Sequence, residues 1–355
     1  MSRFLSEQHK NLAPYVPGEQ PQDMQYIKLN TNESPFPPAP AVVKAAAEEA
    51  GKCNLYSDPE CRIVRERLAR RYGVEIENVL LTNGSDEALN FIILAYGDQR
   101  HPFAFCDVTY GLYPVLCRLY HIPFTELPLR QDFSVDVEAC MWTDAPLILA
   151  NPNAPTSLAL PRDTLEMIAA SRPERLLAVD EAYVDFGGES CVPLVKKYDN
   201  LLVVQTFSKS RSLAGARLGY VIGSAALIAE LDAIRCSLNP YNVNRMSLAA
   251  GAAALDEDEW YMNNCRVIME NRQWTADRLK QLGFNVLNSR ANFLFAGHPA
   301  LTGEAVYKRL KARGILVRYF SAARTAPYVR ITIGTMEQMR ALSAAAEEIL
   351  KEAQA

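Results

Sequence analysis

A lysine that directly follows a buried strand is held in place, and a held amine can do chemistry that a mobile surface amine cannot. Leu201-Leu202-Val203-Val204-Gln205-Thr206-Phe207 reads as such a strand, and Ser208-Lys209-Ser210 follows it. A second apolar run, Leu176-Leu177-Ala178-Val179, ends in Asp180-Glu181-Ala182-Tyr183, and Arg217 stands shortly after the lysine. A strand-end amine, a strand-end carboxylate and a following arginine are the groups that pyridoxal 5'-phosphate requires. Its aldehyde needs a lysine, its ring nitrogen an acid, and its phosphate cationic or amide donors. Lys209 would act as nucleophile and then as base, which requires desolvation or a nearby cation to lower its pKa. Asp180 would keep the ring nitrogen cationic, so that the ring can accept the electrons left when the substrate loses its alpha proton.

An anion site lies upstream. Val79-Leu80-Leu81-Thr82 reads as a strand, Asn83-Gly84 as a tight turn, and Ser85-Asp86-Glu87-Ala88-Leu89 as a helix start whose first N–H groups are free. With Ser208 and Arg217, the backbone at Ser85 and Asp86 could enclose a phosphate. Two further strand-end loops carry candidates. Tyr110, in Val108-Thr109-Tyr110-Gly111, could stack on a flat ring, and Asn151 or Asn153, in Asn151-Pro152-Asn153-Ala154-Pro155, could offer an amide to the ring's phenolic oxygen.

These residues need a frame that brings them to one edge. Short apolar strands alternate with helical patterns from about residue 40 to about 250, a rhythm that predicts a mainly parallel sheet between helices. Ligands in such sheets gather beyond the strands' carboxyl ends, where Gly84, Tyr110, Asn151, Asp180 and Lys209 all fall. Helices are expected over Asp58 to Tyr72 and Asp256 to Leu282. Beyond them the pattern becomes α+β, with strands near Phe284 to Leu287, Ala291 to Phe295, Ile315 to Tyr319 and Tyr328 to Ile333. Helices are expected there over Gly303 to Arg313 and Ala341 to Ala353. The expected division is an N-terminal arm (1–40) joining the small domain, a large cofactor-binding domain (41–255) and a small C-terminal domain (256–355).

With 355 residues, 49% of them apolar and 22% charged, and a formal net charge of -4, the chain reads as a globular enzyme without a basic surface for nucleic acid. No apolar run reaches the roughly twenty residues that span a bilayer, so no membrane contact and a cytoplasmic location are expected. The eight cysteines lack a Cys-x-x-Cys pair and read as reduced thiols, and the four histidines lack metal-ligand spacing.

Taken together, the residues resemble the fold-type I pyridoxal-phosphate aminotransferases, and more narrowly the histidinol-phosphate aminotransferase family. The resemblance rests on Asn11-Leu12-Ala13-Pro14-Tyr15-Val16-Pro17-Gly18, Leu29-Asn30-Thr31-Asn32-Glu33-Ser34-Pro35, Asp180-Glu181-Ala182-Tyr183 and Thr206-Phe207-Ser208-Lys209. Arg217-Leu218-Gly219-Tyr220, Gly314-Ile315-Leu316-Val317-Arg318 and Arg330-Ile331-Thr332-Ile333-Gly334 extend it over nearly the whole chain. It implies an α/β fold with a large domain and a smaller α+β domain. Lys209 would carry the cofactor, Asp180 would pair with its ring nitrogen, Tyr183 would bond its phenolic oxygen and Tyr110 would cover the ring. Ser85, Asp86, Ser208 and Arg217 would surround the phosphate, and Tyr56 would reach the same phosphate across a homodimer with shared active sites. Arg330 would receive the amino donor's carboxylate, while Arg318 with Tyr15, and Asn32 more weakly, would hold the acceptor. The implied reaction moves an amino group between histidinol phosphate and 2-oxoglutarate in histidine biosynthesis.

One segment departs from the family pattern. Where an Asn-Pro-Thr-Gly run is usual, this chain has Ala154-Pro155-Thr156-Ser157. Ala154 cannot donate to the phenolic oxygen, so either Asn151 or Asn153 supplies that bond from a shifted loop or Tyr183 acts with less help. The alternatives on the same cofactor are an aromatic amino acid aminotransferase and a threonine-phosphate decarboxylase; a catalytically silent cofactor-binding protein is the alternative of another class.

Overall fold

The computed structural model describes residues 2–10 and 12–354; Asn11 of the N-terminal motif, and Met1 and Ala355 at the limits of the expected domains, lie outside the described residues. Seven strands form the large sheet: β2 (Val79–Thr82), β3 (Phe103–Cys106), β4 (Phe124–Leu127), β5 (Leu147–Ala150), β6 (Leu177–Asp180), β7 (Leu201–Thr206) and β8 (Gly219–Ile222), in the order β2-β8-β7-β6-β5-β3-β4. The pairs from β4 through β7 are parallel, and β8 runs antiparallel to both its neighbours. The sheet is thus mainly parallel, as its rhythm predicts.

Strand alternation divides the apolar side chains between two layers. Leu80, Ala178 and Leu202 belong to one buried cluster, with Leu89, Ile92 and Ile93 of the helix Ser85–Tyr96. Leu81, Val179 and Val203 belong to the other, with Val64 and Leu68 of the helix Arg62–Tyr72 and Leu248 of the helix Arg245–Asp256. Each fully buried Leu or Val contributes roughly 1.5–3 kcal/mol. Those contributions hold the strand ends, and the side chains they carry, in fixed positions.

A second sheet of four antiparallel strands combines β9 (Asn285–Val286), β10 (Phe293–Gly297), β12 (Arg318–Tyr319) and β13 (Tyr328–Thr332) in the order β12-β13-β10-β9. The helices Asp258–Gln281, Gly303–Ala312 and Met336–Gln354 share its buried cluster through Leu279, Leu310 and Ile349. The two-residue strand β1 (Ile27–Lys28) pairs in parallel with β11 (Ile315–Leu316), so the N-terminal segment is tied to the small unit before the helix Pro40–Ala50 packs on Arg245–Asp256.

Several boundaries differ from expectation, three of them for reasons that the local hydrogen bonds show. The helix expected from Asp58 begins at Arg62, because Cys61 is left-handed (φ 49°) and the Asp58 carboxylate accepts from the N–H groups of Glu60 and Arg62. The strand expected over Ile315 to Tyr319 divides at Val317, its halves pairing with β1 and β13. The last helix starts at Met336, where Thr335 and Gln338 exchange side-chain-to-backbone hydrogen bonds in a capping box.

Candidate active site

The carboxyl ends of β5, β6 and β7, the start of the helix Ser85–Tyr96 and the small unit's β12 and β13 together enclose a cavity of about 880 Å³, counting the space that opens to solvent. Lys209, Asp180, Tyr183, Ser85, Asp86, Tyr110, Ser208, Arg217, Tyr15, Asn32, Arg318 and Arg330 all line it.

Lys209 enters from the loop after β7. Its amine donates to the carbonyl oxygen of Thr31 at 3.2 Å and lies 5.7 Å from the centre of the Tyr183 ring. Desolvation, assisted by the positive charge of Arg330, pushes its pKa down to about 8. At pH 7 roughly a tenth of such amines is therefore neutral and nucleophilic.

Asp180 closes β6 and is 5% exposed. Burial pushes its carboxyl up to about 6, against the stabilising hydrogen bonds from the Tyr113 hydroxyl at 2.8 Å and the Ala182 N–H at 3.2 Å. Among the described residues it has no salt-bridge partner. Glu181 points to the other face of the strand, where Ser190, Gln205 and the Cys191 N–H surround it, and burial pushes it up to about 7. Strand alternation thus assigns adjacent acids to different environments.

The phosphate-like corner is built on close backbone approach. Gly84 precedes the helix with φ 87°, and a Cβ there would lie 2.5 Å from Arg217 Nη2. A Cβ on Gly219 would lie 2.6 Å from the Ser85 nitrogen. The helix's first N–H groups face this corner without intrahelical partners. Arg217, itself left-handed (φ 50°), donates to Ser208 Oγ at 3.4 Å and to the Asp86 carboxylate at 3.1 Å. Asp86 also accepts from the Tyr110 hydroxyl at 3.0 Å, so its side chain orients a cation and a ring while its backbone remains available to an anion.

On the opposite wall, Arg330 donates to the Asn30 carbonyl oxygen at 2.9 Å, packs 5.4 Å from the Phe293 ring, and keeps a buried Nε without a hydrogen-bond partner. Burial lowers its pKa, the phenols of Tyr183 and Tyr15 opposing. Arg318 donates to the carbonyl oxygens of Val16 and Pro17, at 2.9 and 3.1 Å, and so fixes the arm that carries Tyr15. Tyr15 meets Tyr110 edge-on at 5.7 Å. Asn32 donates its amide to the Tyr183 hydroxyl at 3.0 Å.

Three expected residues are not brought to the cavity. Asn151 exchanges two hydrogen bonds with the backbone of Leu160, and Asn153 is bonded to Val108, Thr109 and Thr156. Both amides hold their loop together, and no shift of that loop presents either of them to the cavity. Ala154 lines the cavity instead and packs with Ala291, Phe293 and Tyr183. Tyr56 is 78% exposed and stacks on Tyr241 at 4.4 Å, away from this chain's cavity. Conversely, Tyr113 and Thr31 take part in the site without a chemical signature of their own in the sequence. Tyr113 lies three residues after Tyr110, the spacing that puts two side chains on neighbouring positions of a helix start, whereas Thr31 contributes only a carbonyl, which no side-chain pattern discloses.

The cavity fits pyridoxal phosphate on observations of its own. It has a buried carboxylate lacking a cation, a desolvated amine in the same cavity, and a glycine-lined helix start beside an arginine for an anion.

The family model for aminotransferase class I and II matches residues 24–345. The chain is 44% identical to histidinol-phosphate aminotransferase 2 of Dechloromonas aromatica, over 98% of this chain and 99% of that protein. It is 45% identical to histidinol-phosphate aminotransferase 1 of Bradyrhizobium diazoefficiens, over 99% and 100%. The crystal structure of histidinol-phosphate aminotransferase from Sinorhizobium meliloti in complex with pyridoxal 5'-phosphate superposes with a TM-score of 0.86 at 27% identity, covering 92% of each chain.

Proposed function

The chain belongs to the class I and II aminotransferases, and within them to the histidinol-phosphate aminotransferases, and on that premise we propose that it transfers the amino group of histidinol phosphate to 2-oxoglutarate. The observation that carries this reading is the pairing of a desolvated amine, Lys209, with two arginines on one wall of its cavity. A substrate with an anion at one end and an amine at the other finds a partner for each end in the same cavity.

Pyridoxal phosphate, when bound, supplies an aldehyde for the lysine and a ring that accepts the electron pair released at the substrate's alpha carbon. The chain's residues do the rest. Asp180 supplies the negative charge opposite the ring nitrogen and is itself relieved of an uncompensated burial. Ser85 and Asp86 N–H groups, Ser208 and Arg217 hold the phosphate, and Tyr110 covers the ring. Lys209 Nζ, partly neutral at physiological pH, would take the proton from the amino donor's alpha carbon and deliver it to the carbon that carried the cofactor's aldehyde, so that the amino group stays with the cofactor. Arg330 receives the carboxylate of glutamate, and Arg318 with Tyr15 the phosphate end of the other substrate, each guanidinium offering a planar pair of donors. Binding there exchanges Arg318's contacts with the arm carbonyls for contacts with the substrate.

The proposed assembly is a homodimer. Tyr56 lies on a surface patch with the exposed Leu55 and Tyr241 beside it; in the proposed dimer it would meet the phosphate site of a second copy.

The test is a half-reaction on the purified, cofactor-loaded protein. Histidinol phosphate should remove the aldehyde absorbance in the absence of any oxo acid, faster than phenylalanine does, and 2-oxoglutarate should restore it. Preference for phenylalanine, or carbon dioxide released from threonine phosphate, would replace this reading.

A further inference from the structure

Asn32 has no unused polar group. Its left-handed backbone (φ 57°) directs its N–H to Thr332 Oγ1 at 2.9 Å, and its carbonyl oxygen accepts from Asn292 Nδ2 at 3.0 Å. The Thr332 hydroxyl donates to Asn32 Oδ1 at 3.0 Å, which leaves only Nδ2 to face the Tyr183 hydroxyl. Because that amide donates, the phenolic hydrogen of Tyr183 is free to point elsewhere. Around the rest of the ring lie Ala154, Ala291 and Phe293, so that among the described residues Asn32 is the sole hydrogen-bond partner of this hydroxyl. The charged and titratable groups near it are the Lys209 amine above the ring, the Arg330 guanidinium, the carboxylates of Asp180 and Asp86, and the phenols of Tyr15, Tyr110 and Tyr113.

We propose that Asn32 and Thr332 are positioning residues that aim the Tyr183 hydroxyl into the cavity, where its hydrogen is donated to the cofactor's phenolic oxygen, with Ala154 contributing no polar help. The proposal rests on the reading of Lys209 and Tyr183 given above. Thr332 stands two residues beyond Arg330 on β13 and faces the same side of that strand, so the strand that carries the carboxylate site also carries the base of this support.

The support sets how tightly the phenolic oxygen holds a proton. A well-aimed donor stabilises the oxygen as an anion; a loose one leaves it more basic, so the pH midpoint of the bound cofactor's visible absorbance rises. Thr332→Val, which keeps the side chain's shape and removes its hydroxyl, should raise that midpoint by roughly half a pH unit, the size expected for one weakened hydrogen bond. Thr332→Ser should restore it. Tyr183→Phe should raise it at least as far, and adding Thr332→Val to Tyr183→Phe should then raise it no further. A Thr332→Val holoenzyme that titrates at the wild-type midpoint, or two substitutions whose shifts simply add, would overturn the proposal. Should Thr332→Val fail to fold, Asn32→Ala carries the same measurement. A wild-type protein with no cofactor absorbance would overturn the site reading itself; a normal wild-type band with unmoved variants would overturn only the positioning role.

Discussion

Tyr113 and Asp180 are both buried, and the tyrosine hydroxyl donates to the carboxylate at 2.8 Å. The bond orients one carboxylate oxygen and leaves the charge uncompensated, which is why burial dominates and the carboxyl rises to about 6.

A carboxyl whose folded pKa of about 6 exceeds its unfolded value, roughly 3.9, stabilises the fold below the unfolded value and loses that contribution as pH rises through the folded one. For the cofactor-free protein, the advantage of Asp180→Asn over wild type should therefore grow between pH 4 and 7, by at most about 3 kcal/mol. Thermal unfolding across that range measures it, and a constant difference would show that the buried charge is compensated. With cofactor bound the advantage should vanish and the turnover of the variant should fall, because the ring nitrogen has lost its counter-charge.

Lys209→Ala should abolish the cofactor absorbance that persists through dialysis and lower turnover by at least about a thousandfold, since both nucleophile and base are removed. Borohydride treatment of the wild type followed by peptide mass spectrometry should find the added mass on Lys209. Finding it on another lysine would relocate the site.

At Gly84, a methyl group would meet Arg217 Nη2 at 2.5 Å on a backbone with φ 87°. Gly84→Ala should cost about 1–2 kcal/mol of stability and weaken cofactor binding about tenfold or more, because the arginine must leave the phosphate corner. Fluorescence titration with pyridoxal phosphate gives the affinity; an unchanged value would remove Arg217 from that corner.

Replacing the two arginines should separate the substrates' ends. Arg330→Gln is expected to raise KM for glutamate by about 10–100-fold, and Arg318→Gln to raise KM more for histidinol phosphate than for glutamate. Steady-state kinetics with each substrate varied in turn would detect the difference. Equal effects of Arg318→Gln on both would mean that it acts only by releasing the arm at Val16 and Pro17.

Shared sites can be tested by mixing inactive chains. Lys209→Ala and Tyr56→Ala proteins, unfolded and refolded together, should regain activity, because a mixed dimer has one site with the lysine of one chain and the tyrosine of the other. Recovery no greater than the two separate proteins show would place Tyr56 outside the active site.

Much of this molecule can be read from its residues because the information is local. Apolar runs that end in Asp180 and just before Lys209 define strands by composition, and β/α alternation places their ends on one edge of a mainly parallel sheet. Gly84 before Ser85-Asp86-Glu87 reveals a helix start, with Gly84 itself at the N-cap, and Arg318 and Arg330 lie on strands of the expected type. What the tertiary structure alone decided are the partners. Asn151 and Asn153 have the right chemistry at a strand end, but only the folded loop shows their amides consumed by Leu160, Val108 and Thr156. Asn32 meets Thr332 across 300 residues and Tyr183 across 151, pairings that no local pattern encodes. Residue type and periodicity fix which face of an element a side chain occupies, whereas its hydrogen-bond partner depends on which distant backbone the packed core brings within 3 Å.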